Sequence, residues 1–146
     1  MTDFRRLTND VLASPQIATT DIAAAQALGV TTIVNNRPEG ESDDQTPGPQ
    51  IRSAAEQAGM TYHAIPITHA GFSEAQVEAM ADVLASAPGP VLAYCRSGTR
   101  STLLWALVQA RAGRDLDEIA GIAAAAGYDV GPVRPVMDML AARARD

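Results

Sequence analysis

The chain has 146 residues, of which 47% are hydrophobic and 19% are charged, and its formal net charge is -6. This length and composition are typical of a soluble protein with its own core, so we expect residues 1–146 to form a single domain. The acidic balance argues against a general nucleic-acid binder. The sequence contains no apolar run of membrane-spanning length and no signal-peptide pattern, so we expect a cytoplasmic protein without membrane partners.

The cysteine content narrows the chemistry further. Cys95 is the only cysteine, which excludes an internal disulfide and fits a reducing compartment. This cysteine and the two histidines do not have the spacing of a metal-ligand cluster. We therefore expect neither a metal nor a cofactor.

The order of short β-type runs and helical runs predicts an α/β fold, with three α/β/α layers around a short, mainly parallel sheet. Residues 4–16 are expected to form a pair of short strands. Thr20 is expected to cap a helix that Gly29 ends. The next predicted elements are a buried strand over residues 30–35, a polar loop over 36–47 and a helix over 50–58.

The second half of the chain continues this alternation. A strand is predicted over residues 62–67, and a helix with a capping box of Ser73 and Gln76 follows it. The next strand covers residues 91–94 and leads through a short turn into a helix over 100–112. Two further helices are expected, the first capped by Asp115 and Glu118, and the second near residues 133–140.

The turn after the strand 91–94 carries the strongest chemical signal. A turn between a buried strand and a helix points its backbone N–H groups inward and adjoins the positive end of the helix. Cys95, at the start of this turn, is therefore predicted to lie in a cradle that binds a tetrahedral oxyanion and favours the thiolate over the thiol. The alternative is that Cys95 is merely a small buried apolar residue.

The neighbours of Cys95 fit an anion cradle. Arg100 offers a fork of donors for two anion oxygens, and Ser101 can donate a hydrogen bond to the sulfur or orient a water molecule. Gly98 lets the backbone approach a ligand closely. The remaining turn residues expected to contribute to oxyanion binding are Arg96, whose side chain should point outward, Ser97 and Thr99.

At these residues the sequence resembles a known family. The pattern Cys95-x-x-Gly98-x-Arg100-Ser101 is similar to the phosphate loop of the protein tyrosine phosphatase superfamily, which reads Cys-x-x-Gly-x-x-Arg-Ser/Thr. Over residues 10–110, the wider pattern resembles the bacterial phosphatase-like domain of the β-lactamase-hydrolase-like family, which occurs alone or fused to metallo-β-lactamase-like domains. This resemblance implies a protein tyrosine phosphatase-like fold. The matching elements are Gln16, residues 33–41, Gln45, residues 65–66, residues 89–101 and Trp105.

The cysteine loop departs from the tyrosine phosphatase pattern in one respect. Four residues separate Cys95 from Arg100, whereas tyrosine phosphatases have five. The shorter spacing is associated with rhodanese-type sulfurtransferases, and members of the family have been described as both kinds of enzyme. Tyr94 also stands where phosphatases usually have a histidine.

A phosphatase also needs a general acid for its leaving group. The pattern Tyr62-x-x-Ile65-x-x-x-His69 resembles the dual-specificity phosphatase strand that ends in the catalytic aspartate, so His69 is the candidate acid. The alternative for His69 is a solvated loop residue, and Asp43 and Asp44 are further candidate acids.

Arg37 follows the strand 30–35 and should reach the same edge of the sheet as Cys95. It can hold a second substrate anion, or it can form an ion pair with Glu39 or Glu41.

Three functions remain open from the sequence. The first is a hydrolase of the dual-specificity phosphatase type, which cleaves a phosphate monoester through a cysteinyl phosphate. The second is a sulfurtransferase that forms a persulfide on the same cysteine. The third is a non-catalytic module that binds an oxyanion. The expected ligand is a phosphorylated or sulfur-bearing small anion, or a phosphoprotein.

Overall fold

A computed structural model of the protein describes residues 2–145. A five-stranded sheet lies at the centre, with the strand order β1-β2-β5-β3-β4. β1 is antiparallel to β2, and the other neighbouring pairs are parallel. The strands are β1 (Arg5–Thr8), β2 (Val11–Ser14), β3 (Thr32–Asn35), β4 (Thr61–Ala64) and β5 (Val91–Tyr94).

In the part of the chain that the structure describes, six α-helices cover the two faces of this sheet. Two of them, α1 and α2, pack on one face, and the others pack on the opposite face. The helices are α1 (Ile22–Ala27), α2 (Gly48–Gln57), α3 (Glu74–Ser86), α4 (Thr99–Arg111), α5 (Leu116–Ala125) and α6 (Arg134–Ala144). Within residues 2–145, no helix combines the length and the apolar character that crossing a bilayer requires. The three-layer α/β fold expected from the sequence is confirmed.

The alternation of side chains along the strands divides the core into two halves. Val91 and Ala93 of β5 point toward the face covered by α3 to α6, whereas Leu92 and Tyr94 point toward α1 and α2. Successive side chains of a strand point to opposite faces, and both faces of β5 are covered. All four residues of this central strand are therefore buried.

The predicted helix starts are correct where a side chain accepts a hydrogen bond from a backbone amide of the first turn. Ser73 accepts a hydrogen bond from the Gln76 amide and the Gln76 side chain returns to the Ser73 amide, so the capping box is confirmed. Asp115 likewise accepts from the Glu118 amide at 3.0 Å. The predicted cap at Thr20 is wrong. Thr20 lies within a 3₁₀ turn over Thr19–Asp21, and α1 begins only after that turn.

The predicted strand 62–67 ends earlier, at Ala64. The amides of Ile65 and Ile67 still donate to the carbonyls of Asn35 and Asn36, both at 2.9 Å. Pro66, which lies between them, has no N–H to contribute. The chain therefore stays beside β3 without continuing a regular strand, and it reaches the carboxyl edge of the sheet.

We expect Leu104→Ala to lower the free energy of unfolding by about 2 to 5 kcal/mol, because it opens a cavity in the core. Leu104 is fully buried in α4. Urea denaturation followed by circular dichroism measures the change. The matched control is Leu28→Ala, because Leu28 is 45% exposed and should cost no more than about 0.5 kcal/mol. Equal losses for the two variants would contradict this packing.

Candidate active site

The carboxyl ends of three parallel strands bring the predicted site residues together. Cys95 follows β5, the loop that begins at Asn36 follows β3, and the segment from Ile65 follows β4. Ligands of open α/β sheets bind at this edge, because the loops there surround the ends of the strands. Cys95 therefore lies at the sheet edge where the sequence predicts it, and the candidate site is at this edge.

Cys95 lies at the base of the loop that precedes α4 and is fully buried. Its Sγ accepts a hydrogen bond from the Gly98 amide at 3.1 Å. α4 has 13 residues and begins at Thr99, so its positive end adjoins the sulfur. A backbone N–H and a helix amino terminus both favour negative charge on the sulfur.

Gly98 is required for a reason that the sequence did not reveal. Its φ is +92°, in the left-handed region that favours glycine. A Cβ at this position would also collide with the hydroxyl end of Tyr128 and lie 3.3 Å from the Ser14 carbonyl carbon. The side of Gly98 that a side chain would occupy therefore faces the protein, and the predicted reason, close approach to a ligand, is incomplete.

The rim of the loop is polar and open to solvent. The Ser97 hydroxyl donates to the Thr99 hydroxyl at 2.9 Å, and the Thr99 amide donates to the Ser97 Oγ at 3.3 Å. Arg96 is exposed, as expected for a side chain that points outward. Its carbonyl accepts from the Gln16 amide at 3.2 Å, which ties the loop to the segment after β2.

Arg100 is held at the site by a carboxylate. Its Nη1 and Nη2 donate to the two carboxylate oxygens of Glu41, each at 2.7 Å, and Nη1 also donates to the Ile67 carbonyl at 2.9 Å. The sequence indicates Glu41 as a partner of Arg37 and as part of the matching segment 33–41, but it does not indicate the pair with Arg100. Its place in the polar loop, four residues after Arg37, was the available signal.

Arg37 supports Glu41 in this structure, and each of its three side-chain nitrogens donates to a neighbouring side chain. That it also holds a substrate anion stays a prediction. Its Nε donates to Glu41 at 3.0 Å, Nη1 to Gln16 at 3.1 Å and Nη2 to Ser42 at 2.9 Å. The side chain is only 4% exposed. The ion pair with Glu41, considered as the alternative, is therefore present, whereas Glu39 accepts from the Gly48 amide.

Ser101 occupies a different hydrogen bond from the one expected. Its Oγ donates to the side-chain oxygen of Asn36 at 2.7 Å, and the Asn36 amide group in turn donates to the Ile65 carbonyl at 2.9 Å. Both residues are buried. Ser101 thus joins α4 to the segments after β3 and β4, and the hydrogen bond at the sulfur comes from Gly98 instead.

The candidate acids lie on two exposed segments. His69 is exposed, two residues after the Ile67 carbonyl that contacts Arg100. Asp43 and Asp44 are exposed in the loop that carries Glu41. The Ser42 hydroxyl donates to Asp44 at 2.6 Å and lowers the pKa of this carboxyl. A carboxyl with a lowered pKa has already lost its proton at neutral pH and has none to donate. Asp44 is therefore the weaker candidate for the general acid.

Glu41 is strongly biased toward its charged form. The hydrogen bonds from Arg100, aided by those from Arg37, lower the pKa of Glu41 from 4.5 to about 2 against the opposing effect of burial. Because the folded-state pKa is the lower one, the ion pairs stabilise the protein above about pH 4.5. This contribution disappears as the pH falls toward 2.

We therefore expect Glu41→Gln to lower the free energy of unfolding at pH 7 by about 1 to 2 kcal/mol, with partial screening by water at a side chain one-fifth exposed. The difference from the parent protein should shrink between about pH 5 and pH 2. Urea denaturation across this pH range measures it. In the control, Glu56→Gln breaks the exposed pair with Arg52 and should have little effect. A difference that does not depend on pH would contradict the assignment.

Proteins of known sequence share most of this chain. The "Beta-lactamase hydrolase-like protein" of Agrobacterium fabrum is 39% identical over 104 residues, which are 71% of this chain. The Xylella fastidiosa protein of the same name is 36% identical over 104 residues, or 70% of this chain. In both cases the match covers 24% of the relative, so this chain corresponds to about a quarter of their length.

Solved structures share the fold. A candidate phosphatase from Neisseria meningitidis is 35% identical, with a TM-score of 0.85 over 96% of this chain and 99% of that one. P. aeruginosa TpbA, in a variant complexed with phosphotyrosine, is 20% identical, with a TM-score of 0.65 over 99% and 91% of the two chains. At that identity the likeness shows the fold alone, which is the expected protein tyrosine phosphatase-like fold. The family model described as "Beta-lactamase hydrolase-like protein, phosphatase-like domain" matches residues 3–112, and the chain belongs to this family.

Proposed function

We propose that the protein is a cysteine-dependent phosphatase that hydrolyses phosphate monoesters. The observation that carries this proposal is the convergence of three groups at the amino terminus of α4: the Cys95 sulfur, the Gly98 N–H at 3.1 Å from it, and the Arg100 guanidinium in the following turn. A nucleophile surrounded by anion donors is what phosphoryl transfer requires. The family and the fold support a phosphatase.

The reaction takes place in two steps. The Cys95 thiolate attacks phosphorus, an S–P bond forms, and the P–O bond to the leaving group breaks. The leaving oxygen carries away the electron pair and takes a proton from a general acid, for which His69 is the candidate. Water then attacks the cysteinyl phosphate, which releases inorganic phosphate and restores the thiolate.

Arg100 has N–H groups that remain available to donate hydrogen bonds to the phosphoryl oxygens. A guanidinium has five N–H groups, and three of those on Arg100 are used by Glu41 and the Ile67 carbonyl within the described residues. This leaves two for a substrate anion. Glu41 therefore has a supporting role, because it fixes the plane of the guanidinium at the loop without saturating it.

The substrate class follows from the loop and from the relatives. The loop amides, Ser97 and Thr99 offer donors to an anion at a solvent-open rim. Solved structures of similar fold bind phosphotyrosine in TpbA and the phosphoinositide PI(5)P in PTPMT1. We infer that the substrate is a phosphorylated small molecule or a phosphoprotein. The lone cysteine supports a cytoplasmic setting.

Sulfur transfer is the second candidate function, and the short spacing between Cys95 and Arg100 favours it. In that reaction the thiolate takes the sulfane sulfur of thiosulfate, sulfite leaves, and a cysteine persulfide forms. Cyanide then attacks the outer sulfur, which gives thiocyanate and restores the thiolate. No step requires a general acid, so an exposed histidine in place of an aspartate would not impair it.

We expect the protein to release phosphate from p-nitrophenyl phosphate, and we expect the rate of release to fall on the order of 10³-fold or more in Cys95→Ser. Arg100→Lys should reduce it about 10²-fold, because an ammonium cannot replace the planar fork. The matched control is Arg52→Lys, since Arg52 is an exposed arginine of α2 that pairs with Glu56. That variant should stay near the parent rate.

A parallel assay with thiosulfate and cyanide distinguishes the two candidates. Thiocyanate formation that depends on Cys95, without phosphate release, would replace the phosphatase proposal by sulfur transfer. If Cys95→Ser leaves phosphate release unchanged, the proposed nucleophile is wrong.

A second prediction concerns His69 as the acid. In His69→Asn, kcat for an alkyl phosphate should fall by at least about 10-fold, because an alkoxide needs a proton to leave. The kcat for p-nitrophenyl phosphate, whose leaving group does not need that proton, should fall less than about 3-fold. The control is His63→Asn, which changes the other histidine, half-buried in β4. Equal losses on both substrates would assign the acid role elsewhere.

A further inference from the structure

A tyrosine from the last third of the chain contacts the cysteine loop. Tyr128 follows α5 and lies outside residues 3–112, which the family model covers. It is 7% exposed, and its amide donates to the Ala123 carbonyl at 2.9 Å. Nothing in the local sequence marks it as a functional residue, because a tyrosine after a helix-ending glycine is usually a packing residue.

The side chain of Tyr128 has contacts at its hydroxyl end and over its ring. The hydroxyl end lies against Gly98, where a Cβ would be 2.9 Å from the ring carbon that bears the hydroxyl. The Arg5 guanidinium lies over the ring, 5.1 Å from its centre, and donates to the Ala126 carbonyl at 3.1 Å. A ring with contacts at both places has few alternative positions.

The Tyr128 hydroxyl determines the orientation of one peptide group. Oη donates to the Ser97 carbonyl at 3.1 Å, and the N–H of the same peptide group, on Gly98, donates to the Cys95 Sγ at 3.1 Å. A trans peptide is planar, so its C=O and N–H point in opposite directions. A flip of the Ser97–Gly98 peptide would lose both hydrogen bonds and turn a carbonyl oxygen toward the sulfur.

The Tyr128 hydroxyl can donate a hydrogen bond throughout the neutral pH range. Burial raises the pKa of Tyr128, and the nearby Cys95 adds to this effect, while Arg5 opposes it. The phenol therefore remains protonated under the conditions in which a thiolate attacks. Charged groups near the sulfur include Arg100 on α4, Arg96 in the same loop and, through Arg100, Glu41 from the loop after β3.

We propose that Tyr128 is a positioning residue that locks the Ser97–Gly98 peptide with its N–H directed at Cys95, and so prepares the loop before substrate arrives. The proposal deepens the function proposed above and rests on Cys95 acting as a thiolate. It does not require that the group transferred be phosphoryl. The fixed peptide group acts on the Cys95 sulfur itself. Its effect on the sulfur can therefore be measured without any substrate.

The test is the rate of Cys95 alkylation by iodoacetamide as a function of pH, in the parent and in Tyr128→Phe. The variant keeps the ring and removes only the hydroxyl. We expect its half-maximal pH to rise by about 0.5 to 1 unit and its rate at pH 7 to fall about 3- to 10-fold, because the sulfur loses an oriented N–H. A merely structural role would lower the melting temperature without moving this profile.

Two further variants make the result decisive. Tyr62→Phe is the matched control, because the Tyr62 hydroxyl accepts from Asn35 at 2.9 Å on the opposite face of the sheet, and its profile should match the parent. Tyr128→Leu also lacks the hydroxyl, so either Tyr128 variant that circular dichroism shows to be folded tests the proposal. An unchanged profile in Tyr128→Phe, or a shift confined to Tyr128→Leu, would overturn it. Absence of phosphatase activity in the parent would refute the proposed function but leave this measurement intact.

Discussion

The hydrogen bond from the Gly98 amide to the Cys95 sulfur is the interaction on which the site depends. It exists because the chain turns sharply between β5 and α4, and only a glycine takes the required left-handed conformation without strain. The same turn brings the sulfur to the amino terminus of α4, so the positive end of the helix and the Gly98 N–H both act on the sulfur. The central sheet positions both, because β5 is buried between two parallel neighbours.

A carboxylate completes this arrangement of positive groups. Glu41 pairs with Arg100 of α4 and with Arg37 from its own segment, at 2.7 Å and 3.0 Å. Without a carboxylate, the positive charge of the guanidinium would repel the positive end of the nearby helix. If that charge were fully neutralised, the guanidinium would not bind an anion. One Glu41 carboxylate is shared by two guanidiniums, which leaves net positive charge, and some of the Arg100 donors stay unused.

Sequence reasoning succeeded where the determinants are local. The strand Val91–Tyr94, the capping box at Ser73 and the place of Cys95 before a helix all depend on neighbouring residues, and all agree with the structure. It failed where the determinants are distant in the chain. The partner of Ser101 is Asn36, and the contact of Gly98 is Tyr128. A residue's hydrogen-bond partner across the fold leaves no periodic pattern in the sequence.

The proposed phosphatase reaction requires that Cys95 carry a phosphoryl group during turnover. Mass spectrometry of the protein, acid-quenched within milliseconds of mixing with a phosphate monoester, detects this intermediate. We expect the peptide containing Cys95 to gain the mass of one phosphoryl group, and Cys95→Ser to gain none during turnover. Turnover of the ester with no adduct on Cys95, or with an adduct on another residue, would refute the proposed mechanism.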